Sequence, residues 1–244
     1  MRHLDLVPTL SHRLSAHHPG EDMFGIGVAA KNCNTTVYTQ SDEEIRRSEK
    51  YIIHFETGIS PGRIYFVNQV HGDEIVKIDA PLRTRDLSAA TGDAMITKTP
   101  GSCLVIRTAD CVPVMLYDSI HKCIAAVHSG WRSTAKNITG KTVRTMIRDY
   151  NCSTESLYAV ILPGIRSESY QVSRDVAMLF PDHYSIRNES YYLSLQSAIT
   201  QSLLDESIQK DHIFISFYDT YAHNDLFFSY RRNESGRNLN FIYM

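Results

Sequence analysis

The sequence predicts an α+β fold in which mixed β-sheets are covered by helices. Apolar runs of strand length are numerous, and four of them lie between residues 93 and 130 with only turns between them. Several of these runs are continuous rather than alternating, which is typical of strands covered on both faces. The stretches with helical patterning do not alternate strictly with the strands, which disfavours a fold built only from βαβ units.

The N-terminal part of the prediction is a strand followed by a helix. Residues 24–30 (FGIGVAA) have the apolar character of a strand. The stretch 41–58 follows, in which Ser41 and Glu44 have the spacing of a capping box. Gly58 is a suitable C-terminal stop. We therefore predict a helix in this stretch.

The middle of the chain is rich in strands. The runs 63–70 and 74–79 are separated only by His71-Gly72-Asp73, which predicts a hairpin-like reversal. Four further strands follow, in the order DAMITK, SCLVIRTAD, PVMLYD and CIAAVHSG. A turn at Asp118-Ser119 separates the last two.

The rest of the chain mixes helices with strands. We predict helices over about 134–150, 173–180 and 196–208, with Ser173 as the N-cap of the second. A buried strand covers 158–163. The last three strands are HIFISFYDT, LFFSYRR and NFIYM.

Composition excludes several classes of protein. The chain has 244 residues, 43% of them hydrophobic, and a formal net charge of -2, which argues against a general nucleic-acid binder. No run approaches the roughly 18 apolar residues of a membrane span, and the N-terminus has no apolar segment of a secretory signal. The five cysteines contain no CxxC pair, which favours a reducing compartment over a disulfide framework. We predict one domain over residues 1–244, located in the cytoplasm.

Three side chains share one context, because each stands where an apolar strand gives way to polar or glycine-containing sequence. They are His71, Cys111 and His128. If their strands join one sheet, two imidazoles and one thiolate would meet, and such a set suits a catalytic Zn²⁺ with an open fourth position. The alternative is a buried apolar cysteine beside two hydrogen-bonded histidines. We assign the other four cysteines to packing: Cys33, Cys103, Cys123 and Cys152.

Neighbouring residues favour the functional interpretation. Asp110, beside Cys111, could orient a ligand or transfer a proton, although an aspartate before a proline is also common in turns. Gly72 and Gly130 would let backbone approach a ligand closely. Trp131 could stack on a planar ring and Arg132 could hold an anion. The alternative interpretation is that Trp131 packs in the core and that Arg132 is an ordinary surface residue.

The C-terminal segment FFSYRRNESGR, residues 227–237, carries three arginines and a tyrosine. Arginine matches the geometry of phosphate or carboxylate, and this favours an anion-binding segment. A solvated edge strand is the alternative.

Taken together, three motifs resemble the laccase-domain family. They are VNQVHGDEI, GDAMITKTPGSCLVIRTADCVPVMLYD and IAAVHSGWRST. This family is also called the multicopper polyphenol oxidoreductase family, and its members are described as purine nucleoside phosphorylases. The FFSYRR…GR ending looks like the family's C-terminal motif. The resemblance covers roughly residues 63–237.

The resemblance implies a zinc site made by His71, Cys111 and His128, with Asp110, Cys111 and His128 as catalytic residues. It implies that the substrate-binding residues are Gln69, Trp131, Arg132, Tyr230, Arg231 and Arg237. The fold it implies is a sandwich like the cytotoxic-necrotizing-factor catalytic domain. The activity it implies is phosphorolysis of adenosine, inosine, guanosine and methylthioadenosine, with adenosine deamination besides. The expected partners are a purine nucleoside and phosphate, without nucleic acid or membrane.

Three other functions stay open at this point. The first is a metal-free cysteine hydrolase, with Cys111 as nucleophile and His128 as base. The second is a polyphenol oxidase that binds copper, although the chain has 11 histidines and none of the H-x-H pairs typical of multicopper clusters. The third is a non-enzymatic fold with a structural zinc ion.

Overall fold

The computed structural model describes residues 2–4, 24–31, 42–79 and 90–244. Two β-sheets pack face to face, and helices cover the outer face of each sheet. These mixed sheets with helices confirm the α+β prediction. In the described part of the chain, no helix is both long and apolar enough to cross a membrane.

The larger sheet has seven strands. They are β1 (Arg2–Leu4), β4 (Ile75–Ile78), β5 (Ala94–Thr97), β7 (Val112–Asp118), β8 (Cys123–Ser129), β9 (Leu157–Ile161) and β13 (Ile213–Ser216). Their order is β1-β13-β9-β7-β8-β5-β4, with antiparallel pairing from β9 to β5 and parallel pairing on both sides. Every residue of β5, β7 and β8 is buried, which explains their continuous apolar sequences.

The smaller sheet has four strands. They are β2 (Gly25–Ala29), β3 (Ile64–Tyr65), β6 (Cys103–Thr108) and β14 (Asn238–Tyr243), in the order β2-β14-β6-β3. Leu104 and Ile106 of β6 pack against Met115 and Ile124 of the larger sheet. Successive side chains of a strand point to opposite faces, so Val105 faces outward, into the apolar layer beneath the first helix.

Five α-helices lie among the described residues. They are α1 (Asp42–Thr57), α2 (Trp131–Ala135), α3 (Ile138–Tyr150), α4 (Arg174–Ala177) and α5 (Leu195–Asp205). Met146 of α3 and Leu203 of α5 belong to the core on the outer face of the larger sheet. Ile53 of α1 covers the smaller sheet.

Local signals explain where the helices begin and end. Gly58 has a φ of 73° and donates to the carbonyl of His54 at the end of α1, as predicted. Ser41, the predicted cap at the other end, lies outside the described residues. Asn137 caps α3 through Gly140, and α3 therefore begins later than predicted. Ser173 caps α4 as predicted, but that helix is only four residues long.

Two predictions in the strand-rich regions are wrong. The runs 63–70 and 74–79 form no hairpin, because β3 pairs with β6 in the smaller sheet whereas β4 pairs with β5 in the larger one. The segment LFFSYRR is not a strand; it forms turns and the 3₁₀-helix Tyr230–Arg232. Phe227 and Phe228 are buried there, so the apolar pattern reflects packing without strand pairing.

The structure contains a third sheet, of three strands, that the sequence analysis did not predict. It consists of β10 (Gln171–Val172), β11 (Tyr184–Arg187) and β12 (Ser190–Leu193), with β12 in the middle. These strands are short and largely solvent-exposed. Their sequences therefore lack the apolar runs by which the other strands can be found.

Candidate metal centre

The sheet register brings the three candidate ligands together. Cys111 immediately precedes β7, and His128 is the penultimate residue of β8. The antiparallel pairing sets Val112 opposite Ser129, so Cys111 and His128 meet at one end of the pair. His71 lies on the segment that crosses from one sheet to the other. One nitrogen of each histidine and the Cys111 sulfur all lie within 4.8 Å of one another.

The buried carboxylate of Asp93 holds two of these segments. It accepts hydrogen bonds from the backbone N–H groups of Val70 at 3.2 Å, His71 at 3.0 Å and Gly72 at 2.6 Å. Its Oδ1 also lies 2.7 Å from Nδ1 of His128. Because a carboxylate only accepts, His128 donates through Nδ1, which leaves Nε2 for a metal ion.

Sequence reasoning missed the role of Asp93. In the sequence it stands out only as the acidic residue directly before the apolar residues of DAMITK. That position is the available signal, because a carboxylate at the start of a fully buried strand needs hydrogen-bond partners. Asp93 itself has no exposed surface.

The cluster lowers the pKa of its thiol. Burial alone would raise the pKa of Cys111, but hydrogen bonds from His128 and His71 lower it to about 6. For the imidazole of His128, burial has the opposite effect and would lower the pKa, but Asp93 and Cys111 raise it to about 9. Without a metal ion, the site therefore favours a thiolate beside a protonated imidazole.

Two residues at the site have an unusual backbone conformation. The φ angle is 60° at His71 and 85° at Asp110, which directly precedes Cys111. Positive φ costs a non-glycine residue on the order of 1–3 kcal/mol, and it occurs at functional sites as well as in turns and helix caps. Bonds to Asp93 hold the His71 segment in this conformation.

Asp110 is engaged in anchoring contacts. Its carboxylate accepts from the hydroxyl of Thr220 at 2.8 Å and from the backbone N–H of Arg231 at 2.7 Å. Its carbonyl accepts from the N–H of Ile165 at 2.9 Å. These bonds fasten the turn that carries Cys111 to three other parts of the chain. They favour a positioning role, and the proton transfer inferred for Asp110 stays a prediction.

Gly130 provides the space that the sequence suggested. A Cβ atom at this position would lie 2.9 Å from the Cys111 sulfur and 3.1 Å from Cδ2 of His71. The neighbouring Gly72 is less constrained, since a Cβ there would be 3.4 Å from the Asp93 carboxylate. Of these two glycines, Gly130 is therefore the one that keeps a side chain out of the cluster.

A cavity of about 590 Å³, called the main cavity below, opens onto the cluster. Seven of the predicted site residues line it: Gln69, His71, Cys111, His128, Arg132, Tyr230 and Arg237. Arg107, which no motif singled out, lines it as well. The described lining residues include three arginines and no aspartate or glutamate, so this wall is suited to an anion.

Two predicted substrate residues, Trp131 and Arg231, line a different cleft of about 500 Å³ together with Tyr170. The Arg231 guanidinium lies 5.2 Å from the centre of the Tyr170 ring. Arg132 stacks on Trp131 at 4.3 Å while lining the main cavity. The structure therefore divides the predicted substrate-binding set between two adjoining surfaces.

The donor set fits a transition-metal ion. Two imidazoles and one thiolate match the ligands that zinc prefers, and three protein ligands leave a position for water or substrate. Within the described residues this is the one such group of three or more. Cys103, Cys123 and Cys152 are buried elsewhere, as predicted for packing residues, and Cys33 lies outside the described residues.

Comparisons with known proteins agree with the motifs. The family model described as multi-copper polyphenol oxidoreductase laccase matches residues 25–244. A protein of Bacteroides thetaiotaomicron named purine nucleoside phosphorylase is 33% identical over 228 residues, 86% of this chain and 83% of its own length. One of the same name from Xylella fastidiosa is 32% identical over 187 residues, 72% of this chain and 70% of its own.

A solved structure has the same fold. The hypothetical protein YfiH of Bacillus licheniformis superposes with a TM-score of 0.79 and 26% identity, over 91% of this chain and 92% of that one.

Proposed function

Because the chain belongs to the multi-copper polyphenol oxidoreductase laccase family, whose relatives include proteins named purine nucleoside phosphorylase, we propose that it is a zinc-dependent purine nucleoside phosphorylase. The substrates are adenosine, inosine, guanosine and methylthioadenosine, and adenosine deamination is a second activity. One observation carries this proposal. The main cavity joins a His–Cys–His cluster to three arginines, and its described lining residues include no carboxylate.

His71, Cys111 and His128 would hold the zinc ion. When bound, zinc would supply Lewis-acid chemistry, which stabilises developing negative charge and acidifies water. Asp93 keeps the proton of His128 on Nδ1 and so presents Nε2 to the metal. Copper suits imidazole and thiolate as well, but the described residues offer a single three-ligand group rather than a multinuclear cluster.

In phosphorolysis, a phosphate oxygen attacks C1′ of the ribose and the C1′–N9 bond breaks. The purine leaves with the electron pair of that bond and takes up a proton, and ribose 1-phosphate forms. Arg132 and Arg237 line the cavity where they would neutralise phosphate and orient it for attack. Tyr230 lines the same cavity and is 69% exposed, which supports a role for it at the rim in contact with the nucleoside.

In deamination, water adds to C6 of adenosine and ammonia leaves, which yields inosine. Both reactions need a partly enclosed site that orients a purine. Trp131 and Arg231, in the adjoining cleft, would bind parts of the substrate that extend beyond the main cavity.

Product analysis tests the proposal directly. Purified protein incubated with adenosine and phosphate should yield adenine with ribose 1-phosphate, together with inosine. Metal analysis should find one zinc ion per chain, and Cys111→Ala should lose both the zinc and the products. Absence of adenine, inosine and ribose 1-phosphate from wild-type reactions would refute this function.

A metal-free cysteine hydrolase is the second candidate, and the lowered pKa of Cys111 beside His128 favours it. Chelation separates the two functions. A cysteine hydrolase should keep its activity without metal, whereas a zinc phosphorylase should lose it and regain it when zinc is added.

A further inference from the structure

Arg107 occupies an unusual place in its strand. It is the one charged residue among the six of β6, and the other five residues of this strand are all buried. By alternation it shares a face with Cys103 and Val105, which pack in the apolar layer beneath α1. A guanidinium on such a face needs polar partners. Arg107 has them, and at the end of its strand it lines the main cavity.

The first partner is Gln69, whose side chain completes the strand pairing at Arg107. Its Nε2 donates to the carbonyl of Arg107 at 2.8 Å, and the N–H of Arg107 donates to Oε1 at 2.9 Å. The backbone pairing of β3 with β6 ends at Tyr65 and Leu104, so the amide continues the ladder where β3 has stopped. Both ends of the Gln69 amide are thus engaged, which suits a positioning residue.

The second partner is Glu49 of α1. Its Oε1 lies 3.1 Å from Nε of Arg107, an ion pair without the geometry of a hydrogen bond, and the glutamate is 8% exposed. A contact at Nε leaves the donors of the two terminal nitrogens for another acceptor. Glu49 does not line the main cavity, and no carboxylate occurs among the lining residues that the structure describes. An anion there would therefore meet the arginine without a competing carboxylate from these residues.

We propose that Arg107 binds the phosphate co-substrate and that Gln69 and Glu49 position it, an inference that rests on the proposed phosphorylase function. A planar guanidinium pairs with phosphate oxygens through parallel hydrogen bonds, which a lysine ammonium does not reproduce. Holding the guanidinium in advance lowers the entropy lost on binding. Arg107 then acts with Arg132 and Arg237 as a three-arginine phosphate site.

Isothermal titration of the full-length, metal-loaded protein with inorganic phosphate tests this site. We expect Arg107→Met to weaken phosphate binding by about ten- to a hundredfold, the range expected for hydrogen bonds to a charged group. Arg107→Lys keeps the charge beside Glu49 and should show a smaller loss. The matched control is Arg148→Met, because Arg148 is exposed on α3, away from both cavities, and pairs with Asp149. Its phosphate affinity should equal that of the wild type.

The inference would be overturned if Arg107→Met bound phosphate as tightly as the wild type, or if Arg148→Met lost as much affinity as Arg107→Met. Phosphorolysis by the wild type would still support the proposed function in either case. Failure of the wild type to bind phosphate or to form ribose 1-phosphate would overturn both. Thermal melting will show whether Arg107→Met folds. If it does not, the phosphate affinity of Arg107→Lys is the test, and an affinity equal to that of the wild type counts against the site.

A double-mutant cycle tests the positioning role. Because Gln69 acts on phosphate through Arg107, Gln69→Ala should weaken phosphate binding in the wild type but add no loss in the Arg107→Met background. A full additional loss in that background would show that Gln69 contacts phosphate independently and would overturn its positioning role.

Discussion

Asp93 Oδ1 lies 2.7 Å from Nδ1 of His128, and both side chains are almost fully buried. The same carboxylate accepts the backbone N–H of His71. One side chain therefore connects two of the three candidate ligands, although it is not itself part of the cluster. The geometry of the candidate metal centre therefore depends on this residue as well as on the three candidate ligands.

Replacing Asp93 by asparagine should weaken zinc binding. The amide is nearly isosteric, but it carries no charge to balance His128 and offers one acceptor oxygen instead of two. Loss of such an orienting carboxylate typically lowers metal affinity about 10- to 100-fold. Competition with a chromophoric chelator would measure the change.

Asp118 supplies the matched control for that variant. It is also a fully buried carboxylate, and its Oδ2 lies 3.0 Å from Nδ1 of His121. It is at the opposite end of β7 from Cys111. Asp118→Asn should lower stability but leave zinc affinity unchanged; equal losses in the two variants would mean that Asp93 acts only through global stability.

Adding one methyl group at Gly130 should disrupt the cluster. In Gly130→Ala the new Cβ would lie 2.9 Å from the Cys111 sulfur, closer than real contacts of this kind allow. We expect weaker zinc binding and lower phosphorolysis with little change in thermal melting. Gly72→Ala is the control, because its Cβ would make an ordinary contact at 3.4 Å. Wild-type zinc affinity in Gly130→Ala would contradict the crowding argument.

The pH dependence of alkylation should report the environment of Cys111. The pKa of this thiol is about 6, so its thiolate increases as the pH rises through 6 and is the main form at pH 7. In metal-free protein, modification of Cys111 by iodoacetamide should rise with a midpoint near pH 6 and level off above pH 7. Zinc should protect the thiol. A midpoint near 9, the usual range for cysteine, would show that the histidines do not stabilise the thiolate.

Much of the fold follows from local pattern. The continuous apolar runs of β5 to β8 are those of buried strands, and Gly58 and Ser173 mark helix ends by their own chemistry. The hairpin expected around residues 71–73 fails because local sequence does not say which sheet a strand joins. That choice depends on pairing with β5 and β6, which lie 16 or more residues further along the chain.

The candidate site can be predicted from the sequence only in part, for the same reason. His71, Cys111 and His128 each end or precede an apolar run, and the structure brings them together as that pattern indicated. Arg107 lies inside an apolar run, and its exposure to the cavity depends on strand alternation and on Gln69, 38 residues earlier. Local sequence patterns do not predict a contact between residues so far apart in the chain.

Asp110→Asn should separate anchoring from proton transfer. The asparagine oxygen can still accept from the N–H of Arg231, and the hydroxyl of Thr220 can rotate to accept from the amide. Asparagine also tolerates the positive φ of 85° at this position. We therefore expect the variant to keep its melting temperature and to retain kcat for phosphorolysis within about tenfold, because a residue that transfers a proton would instead lose roughly 10²–10⁴-fold.

Asp110→Ala completes the test. It leaves the N–H of Arg231 and the hydroxyl of Thr220 without their acceptor, which should cost about 1–3 kcal/mol of unfolding free energy. Released from this anchor, the segment that carries Tyr230 should move, so KM for the nucleoside should rise as well. If Asp110→Asn instead loses kcat by a hundredfold or more at an unchanged melting temperature, Asp110 transfers the proton, and its bonds to Thr220 and Arg231 serve to hold that group in place.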